Sequence, residues 1–161
     1  MGARHVPTVS VTIDPVGAVT VPLVSQQIHD FNAKIIDEFR TNDGRVGGMF
    51  EGVPMLLLHT TGAKSGAPRI NPLAYRPVGD VWAIFGSFGG APVHPAWYFN
   101  LVAEPDAEIE VGNETVPVRA RVLAGAERDE VWSAQKRDRS TFADYEAKTD
   151  REIPVVLLER R

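Results

Sequence analysis

The stretch Met55-Leu56-Leu57-Leu58-His59-Thr60-Thr61-Gly62-Ala63-Lys64-Ser65-Gly66-Ala67-Pro68-Arg69-Ile70-Asn71 reads as strand, tight turn, strand. Its short apolar run is a buried-strand pattern, and Gly62 and Gly66 punctuate it. Working outward, Ile70–Arg76, Val81–Phe85, Glu108–Val111 and Val116–Leu123 are also strand-like, with turns at Gly79 and Gly112. Val116, Val118, Ala120 and Val122 alternate with Pro117, Arg119 and Arg121, the pattern of a half-buried strand. The segment Ile153-Pro154-Val155-Val156-Leu157-Leu158 supplies a last strand. Many short strands with few helices predict a mainly β domain, barrel-like, with helices attached.

Those helices have their own signals. Val24, Ile28, Phe31, Ile35, Ile36 and Phe39 recur at spacings of three and four, one apolar stripe that predicts a helix from Ser25 to the Asn42-Asp43-Gly44 stop. A second helix starts near Pro95 and runs to Ala103; a third covers Ala126–Arg137, with Val131 and Trp132 facing in. Phe142 and Tyr145 lie in a weaker helical stretch. Val6–Val24 alternates loosely around Pro15 and Gly17, so residues 1–24 read as an N-terminal arm or hairpin, leaving 25–161 as one barrel-like domain. With 161 residues the chain has the length of a single core.

Composition narrows the function classes. The chain has no cysteine, which excludes disulfide frameworks, thiolate metal sites and cysteine nucleophiles. Its formal net charge of −4 argues against nucleic acid as the main partner. The longest apolar run, Val53–Leu58, is far short of the ~20 residues that span a bilayer. A cytoplasmic protein with at most peripheral membrane contact is expected. His5, His29, His59 and His94 are scattered, without metal-ligand spacing, so no metal is expected. No nucleophile elbow is present. Any enzymatic chemistry is then carried by a cofactor acting on a small molecule.

Two segments could hold one. Around the Thr60–Asn71 turn, Lys64, Ser65 and Arg69 would suit a phosphate or carboxylate, although it is not a P-loop, since no glycine precedes the lysine and no helix follows. Gly86-Ser87-Phe88-Gly89-Gly90-Ala91-Pro92-Val93-His94-Pro95-Ala96-Trp97 is a glycine loop leading into a helix. Such loops let a ligand approach the main chain, and Trp97 offers an aromatic wall. Each segment alone reads more readily as an ordinary turn than as a site.

Taken in order, the segments resemble the deazaflavin-dependent nitroreductase family, oxidoreductases that use coenzyme F420. The similarity runs from about Phe31 to Leu158. It rests on Gly44-Arg45-Val46-Gly47-Gly48, on the Leu56–Gly66 run with Arg69 and Asn71-Pro72-Leu73, on Gly89-Gly90-Ala91-Pro92, and on His94-Pro95 with Trp97-Tyr98 and Asn100-Leu101. Asn113–Val122, Tyr145, Lys148-Thr149 and Ile153-Pro154-Val155-Val156 complete it.

The resemblance implies a split β-barrel that transfers a hydride from reduced F420 to a quinone, nitroaromatic or activated alkene. It places Lys64, Ser65 and Arg69 on the anionic cofactor tail, and Ser87, Gly89, Gly90 and Ala91 along the ring with Trp97 beside it. Asn71 and His94 fall within the same matched motifs, and Tyr145 would stand near the acceptor. Phe88 and Ala63 occupy positions where many relatives carry cations. FMN on the same barrel, or a non-catalytic deazaflavin carrier, are the alternative readings. Barrels of this kind also pair, so a homodimer is a candidate assembly.

Overall fold

The computed structural model describes residues 9–12, 20–23 and 25–161. Two short strands, β1 (Val9–Thr12) and β2 (Thr20–Leu23), pair antiparallel with Val9 opposite Leu23. The Pro15 and Gly17 punctuation between them lies outside the described residues. Helix α1 (Ser25–Thr41) follows, within a residue of its expected bounds.

The remaining strands are β3 (Met55–Thr61), β4 (Pro68–Ala74), β5 (Arg76–Val78), β6 (Val81–Phe85), then, after helix α2 (Ala96–Ala103), β7 (Asp106–Val111) and β8 (Glu114–Val122). Helices α3 (Gly125–Asp138) and α4 (Thr141–Ala147) precede β9 (Val155–Arg160). Together β3–β9 form one antiparallel sheet in the order β4-β3-β7-β8-β9-β6-β5.

That order forces a curl. β4 and β5 are the two edges, yet only Tyr75 separates them in the chain. Laid flat, the six spacings between the edges would span about 29 Å at ~4.8 Å each. Two Cα steps reach at most about 7.6 Å. The sheet must therefore roll until its edges meet at Tyr75, which makes a barrel left open along the β4–β5 seam. The sequence predicted one strand over Ile70–Arg76; the break at Tyr75 is where the chain passes from one edge to the other.

Alternation along the strands divides the core in three. Leu56 and Leu58, Trp82 and Ile84, and Val156 and Leu158 face the barrel interior with Ile109 and Val118, where Trp97 and Leu101 of α2 close the end. The intervening Ala83, Phe85, Val155 and Leu157 face outward onto Trp132 of α3 and Tyr145 of α4. On β3, Met55 and Leu57 meet Ile35 and Phe39 of α1. Both faces of β3, β6 and β9 are thus buried, which is why they read as continuous apolar runs. β8 departs from its predicted alternation at its end. Val122 is exposed, and the buried Leu123, whose N–H donates to Val155 O, joins the outer cluster around Trp132.

Outside the barrel, Glu110 of β7 ties α1 to the sheet. Arg40 donates to both its carboxylate oxygens at 3.0 and 2.8 Å, and His59 of β3 reaches one of them. The hydrogen bonds from Arg40, and secondarily His59, outweigh desolvation and hold the Glu110 carboxyl below its ordinary range. A carboxyl depressed on folding stabilises above its unfolded pKa, and that contribution fades as pH falls through the folded value. Because Arg40 is half exposed, Glu110→Gln should cost only about 1 kcal/mol at neutral pH. The difference should begin to shrink below the ordinary glutamate value of 4.5 and close only below the depressed folded value. Urea melts of both proteins at neutral and strongly acidic pH check this; a constant difference would contradict it.

Candidate active site

The loop that leaves β6 is held in an uncommon conformation. Phe88, Gly89 and Gly90 all have positive φ, at 46°, 64° and 82°. For glycine this is free, but the left-handed region costs Phe88 roughly 1–2 kcal/mol. Arg151, just before β9, holds the loop there. Its guanidinium donates to Gly86 O, Ser87 O and Ala91 O, each at 3.0 Å, and to His94 Nδ1 at 3.0 Å.

Since Arg151 is the donor, His94 Nδ1 accepts, which puts the proton of the neutral ring on Nε2. Burial, and then the Arg151 charge, push the His94 pKa down. Gly90 presses on α4: a Cβ there would lie 2.9 Å from Lys148 Cβ and 3.0 Å from Tyr145 O. The N–H groups of Gly90 and Ala91 are spent inside the turn, on Ser87 O and Phe88 O.

The β3–β4 turn is built separately and then joined. Gly62 N–H donates to Ala67 O at 2.8 Å, and Ser65 Oγ accepts from Ala67 N–H at 3.2 Å. Lys64, Ser65 and Arg69 are exposed. Asn100 of α2 connects this turn to the other segment. Its Oδ1 accepts from Ala63 N–H at 2.9 Å and its Nδ2 donates to Thr60 Oγ1 at 3.1 Å, with Asn100 itself buried. The two glycine-rich segments are therefore one rigid unit, bridged by a buried amide.

A cavity of about 350 Å³ opens beside this unit. Ser87, Phe88, Gly89 and Trp97 form one wall and Asn71–Ala74 of β4 another. Ile28, Phe31 and Asn32 of α1, with Phe50, close it on the far side, while Arg139, Phe142 and Tyr145 come from the α3–α4 corner. Its size is that of a small-ligand pocket, and its walls are largely apolar with a few polar groups. Because side chains alternate along a strand, Arg69 lies on the same face of β4 as Asn71 and Leu73. Arg69 thus lies two residues beyond Asn71, where β4 leaves the cavity, and Lys64 lies farther out on the turn.

Of the residues singled out in the sequence, Asn71, Ser87, Gly89, Trp97 and Tyr145 line this one cavity. Gly90, Ala91 and His94 belong to the loop behind it, and Lys64, Ser65 and Arg69 to the neighbouring turn. Among the contributors not singled out as site residues are Phe31, Phe50, Arg139 and Arg151. Phe31 was visible only as part of a helical stripe, whose Ile35 and Phe39 go to the core. Arg139 and Arg151 carry no local signal, since each sits in a polar segment that reads as surface.

The profile of the F420H(2)-dependent quinone reductase family matches residues 33–160, which include the turn, the glycine loop, α2 and β9. The chain belongs to the F420H(2)-dependent quinone reductase family. Membership makes it an oxidoreductase whose cofactor is coenzyme F420. It is 41% identical to an F420H(2)-dependent quinone reductase of Mycobacterium tuberculosis over 127 residues, covering 76% of this chain and 85% of the relative.

Among solved structures, the F420-H2 dependent reductase FDR-A is 41% identical with a TM-score of 0.60, covering 66% of this chain and 94% of its own. A protein described as a domain-swapped dimer is 36% identical with a TM-score of 0.63, covering 84% of this chain and 98% of its own. The split-barrel fold and the F420 dependence expected of the sequence are those of this family. No helix among the described residues is long and apolar enough to cross a membrane.

Proposed function

We propose that this quinone-reductase family member passes a hydride from reduced F420 to a quinone held in the cavity at the α3–α4 corner. Nitroaromatics and activated alkenes are acceptors of the same electrophilic, flat character. One observation carries the reading: the main-chain wall Ser87–Gly89 and Trp97 line a mainly apolar cavity, with exposed Arg69 at the outer end of β4 and exposed Lys64 on the turn that Asn100 ties to α2.

These residues fit the cofactor. A flat ring wants glycine backbone and an aromatic wall, and a polyanionic tail wants Lys and Arg. Ser87, Gly89 and Trp97 would hold the ring, with Arg151 setting the loop from behind. Lys64, Ser65 and Arg69 would take the tail outside the cavity. Reduced F420 supplies the hydride when bound. The chain's own part is to fix the acceptor against that ring, exclude water with Phe31, Phe50 and Phe142, and meet the charge that develops on the acceptor. Tyr145, buried in the cavity wall, stands on the acceptor side.

The test is a pair of titrations, F420 and FMN, followed by tryptophan fluorescence. F420 should bind and FMN should not compete well; tighter FMN binding would overturn the cofactor assignment. Lys64→Ala and Arg69→Ala should each weaken F420 binding about tenfold, a charge-assisted contact of ~1.5–3 kcal/mol discounted for exposure. The loss should grow with the number of glutamates in the tail. Equal loss at every tail length would remove both residues from the tail site. Turnover with menadione separates an enzyme from a carrier, for which no acceptor would oxidise the bound cofactor.

A further inference from the structure

Among the described residues, Arg139 is the charged side chain in the cavity lining. It stands in a mainly apolar lining, with Phe142 and Tyr145 from the same corner and Phe31 and Asn32 of α1 also facing the cavity. Its backbone is fixed on both sides: Arg139 N–H donates to Gln135 O at 2.8 Å, closing α3, and Phe142 N–H donates to Arg139 O at 3.0 Å, opening α4. The side chain is less committed. Among the described residues its hydrogen bond goes to Gly52 O at 3.5 Å, the outer limit of such a contact. The adjacent carboxylate, Asp138, is taken by Arg76 at 2.8 Å. A half-buried guanidinium with five donors and one long contact has bonding capacity left for a ligand.

From this we infer that Arg139 is the acceptor-binding cation of the site: it pairs with a carbonyl oxygen of the bound quinone and with the anion that oxygen becomes. The inference rests on the proposed quinone reduction. In that step two electrons and one proton pass as hydride from reduced F420 to one oxygen of the quinone system, and the ring becomes aromatic. The opposite oxygen is left as an oxyanion, which a proton from water converts to the hydroquinone. The negative charge is thus absent in the ground state and appears during transfer. A cation at the wall of a largely apolar cavity favours that change more than one in water. Asn71 and Tyr145 are polar, but neither carries a positive charge to offset the new one.

The experiment uses the full chain and two probes that differ in charge. 2-Hydroxy-1,4-naphthoquinone is an anion at neutral pH with its charge on an oxygen, and menadione is its neutral counterpart. Binding of each is read from tryptophan quenching, with and without oxidised F420. Arg139→Gln should weaken the anionic probe about tenfold, the size of one charged hydrogen bond. It should leave menadione affinity within about twofold and F420 affinity unchanged, while lowering kcat with menadione more than KM. Arg139→Lys should recover part of the loss, because it restores charge without the fork.

Equal loss of both probes, or loss of F420 binding, would make Arg139 a structural strut for the Gly52 loop and overturn the inference. Unchanged affinity for the anion would overturn it as well. Failure of the function reading is distinct: the wild-type chain would then fail to bind F420 at all, whereas the two quinone probes still report on Arg139.

Discussion

Arg151→Ala should lower F420 affinity by about a hundredfold and destabilise the fold by roughly 3 kcal/mol, even though Arg151 does not line the cavity. The side chain donates to three carbonyls of the Gly86–Ala91 loop and to His94 Nδ1. Removing it strands four acceptors at once, at ~1.5–3 kcal/mol for each well-formed charged bond, less what water recovers. It also removes what holds Phe88 at φ 46°. Strain of that kind persists only where the surroundings over-determine it.

With the guanidinium gone, the Ser87–Gly89 wall relaxes, and with it the proposed ring seat. Arg151→Lys should rescue little, because one ammonium cannot reach Ser87 O, Gly86 O and Ala91 O together. Burial lowers the Arg151 pKa, the direction expected for a cation drawn into the structure. Melting curves and F420 titrations of the three proteins test the point. For a chain of this length the expected loss is roughly 6–12 °C in Tm. A variant that melts within about 2 °C of the wild type and binds F420 normally would show that the loop holds itself.

The same residue marks where sequence reading runs out. The continuous apolar runs of β6 and β9, the alternation of β8 through Val118, the stripe of α1 and the glycine turns follow from the chemistry of each residue, and all are legible along the chain. So was the likeness of the two glycine-rich segments to a cofactor site. The acceptors of Arg151 are main-chain carbonyls, and every residue has one. Nothing in the sequence says which carbonyls an arginine 60 residues away will reach.

Arg139 is illegible for a related reason, since its meaning comes from the apolar walls that the fold brings around it. The β4–β5 break has the opposite cause. Ile70–Arg76 is continuous in strand propensity, and only the sheet order, a property of all seven strands, turns Tyr75 into the seam. Asn100 lay in plain view within a motif. Its role as the bridge between the two segments needed the third dimension.

Gly44→Ala should be among the most destabilising exchanges of a single methyl group in this chain, at about 3–4 kcal/mol, although Gly44 follows an exposed helix end. As a sequence feature it is a helix stop. In the fold it is also the point where the chain leaving α1 meets the β7–β8 turn main chain to main chain. Its φ is +90°, and a Cβ there would lie 2.7, 2.8 and 2.9 Å from Gly112 Cα, N and O. The positive φ alone costs about 1–2 kcal/mol. Overpacking adds roughly 1–3 kcal/mol, toward the upper end because the obstacle is backbone and has no rotamer to change.

The control is Gly112→Ala. Gly112 has φ +58°, but a Cβ there meets nothing within 4 Å. It should therefore lose only the conformational term, about 1 kcal/mol. Urea melts of both variants separate close approach from backbone strain. A consequence at the site is expected too, because Ile28 and Phe31 of the same helix line the cavity. Gly44→Ala should accordingly weaken acceptor binding while Gly112→Ala leaves it intact. Equal stabilities for the two variants would mean that the contact between these glycines carries no weight in the fold.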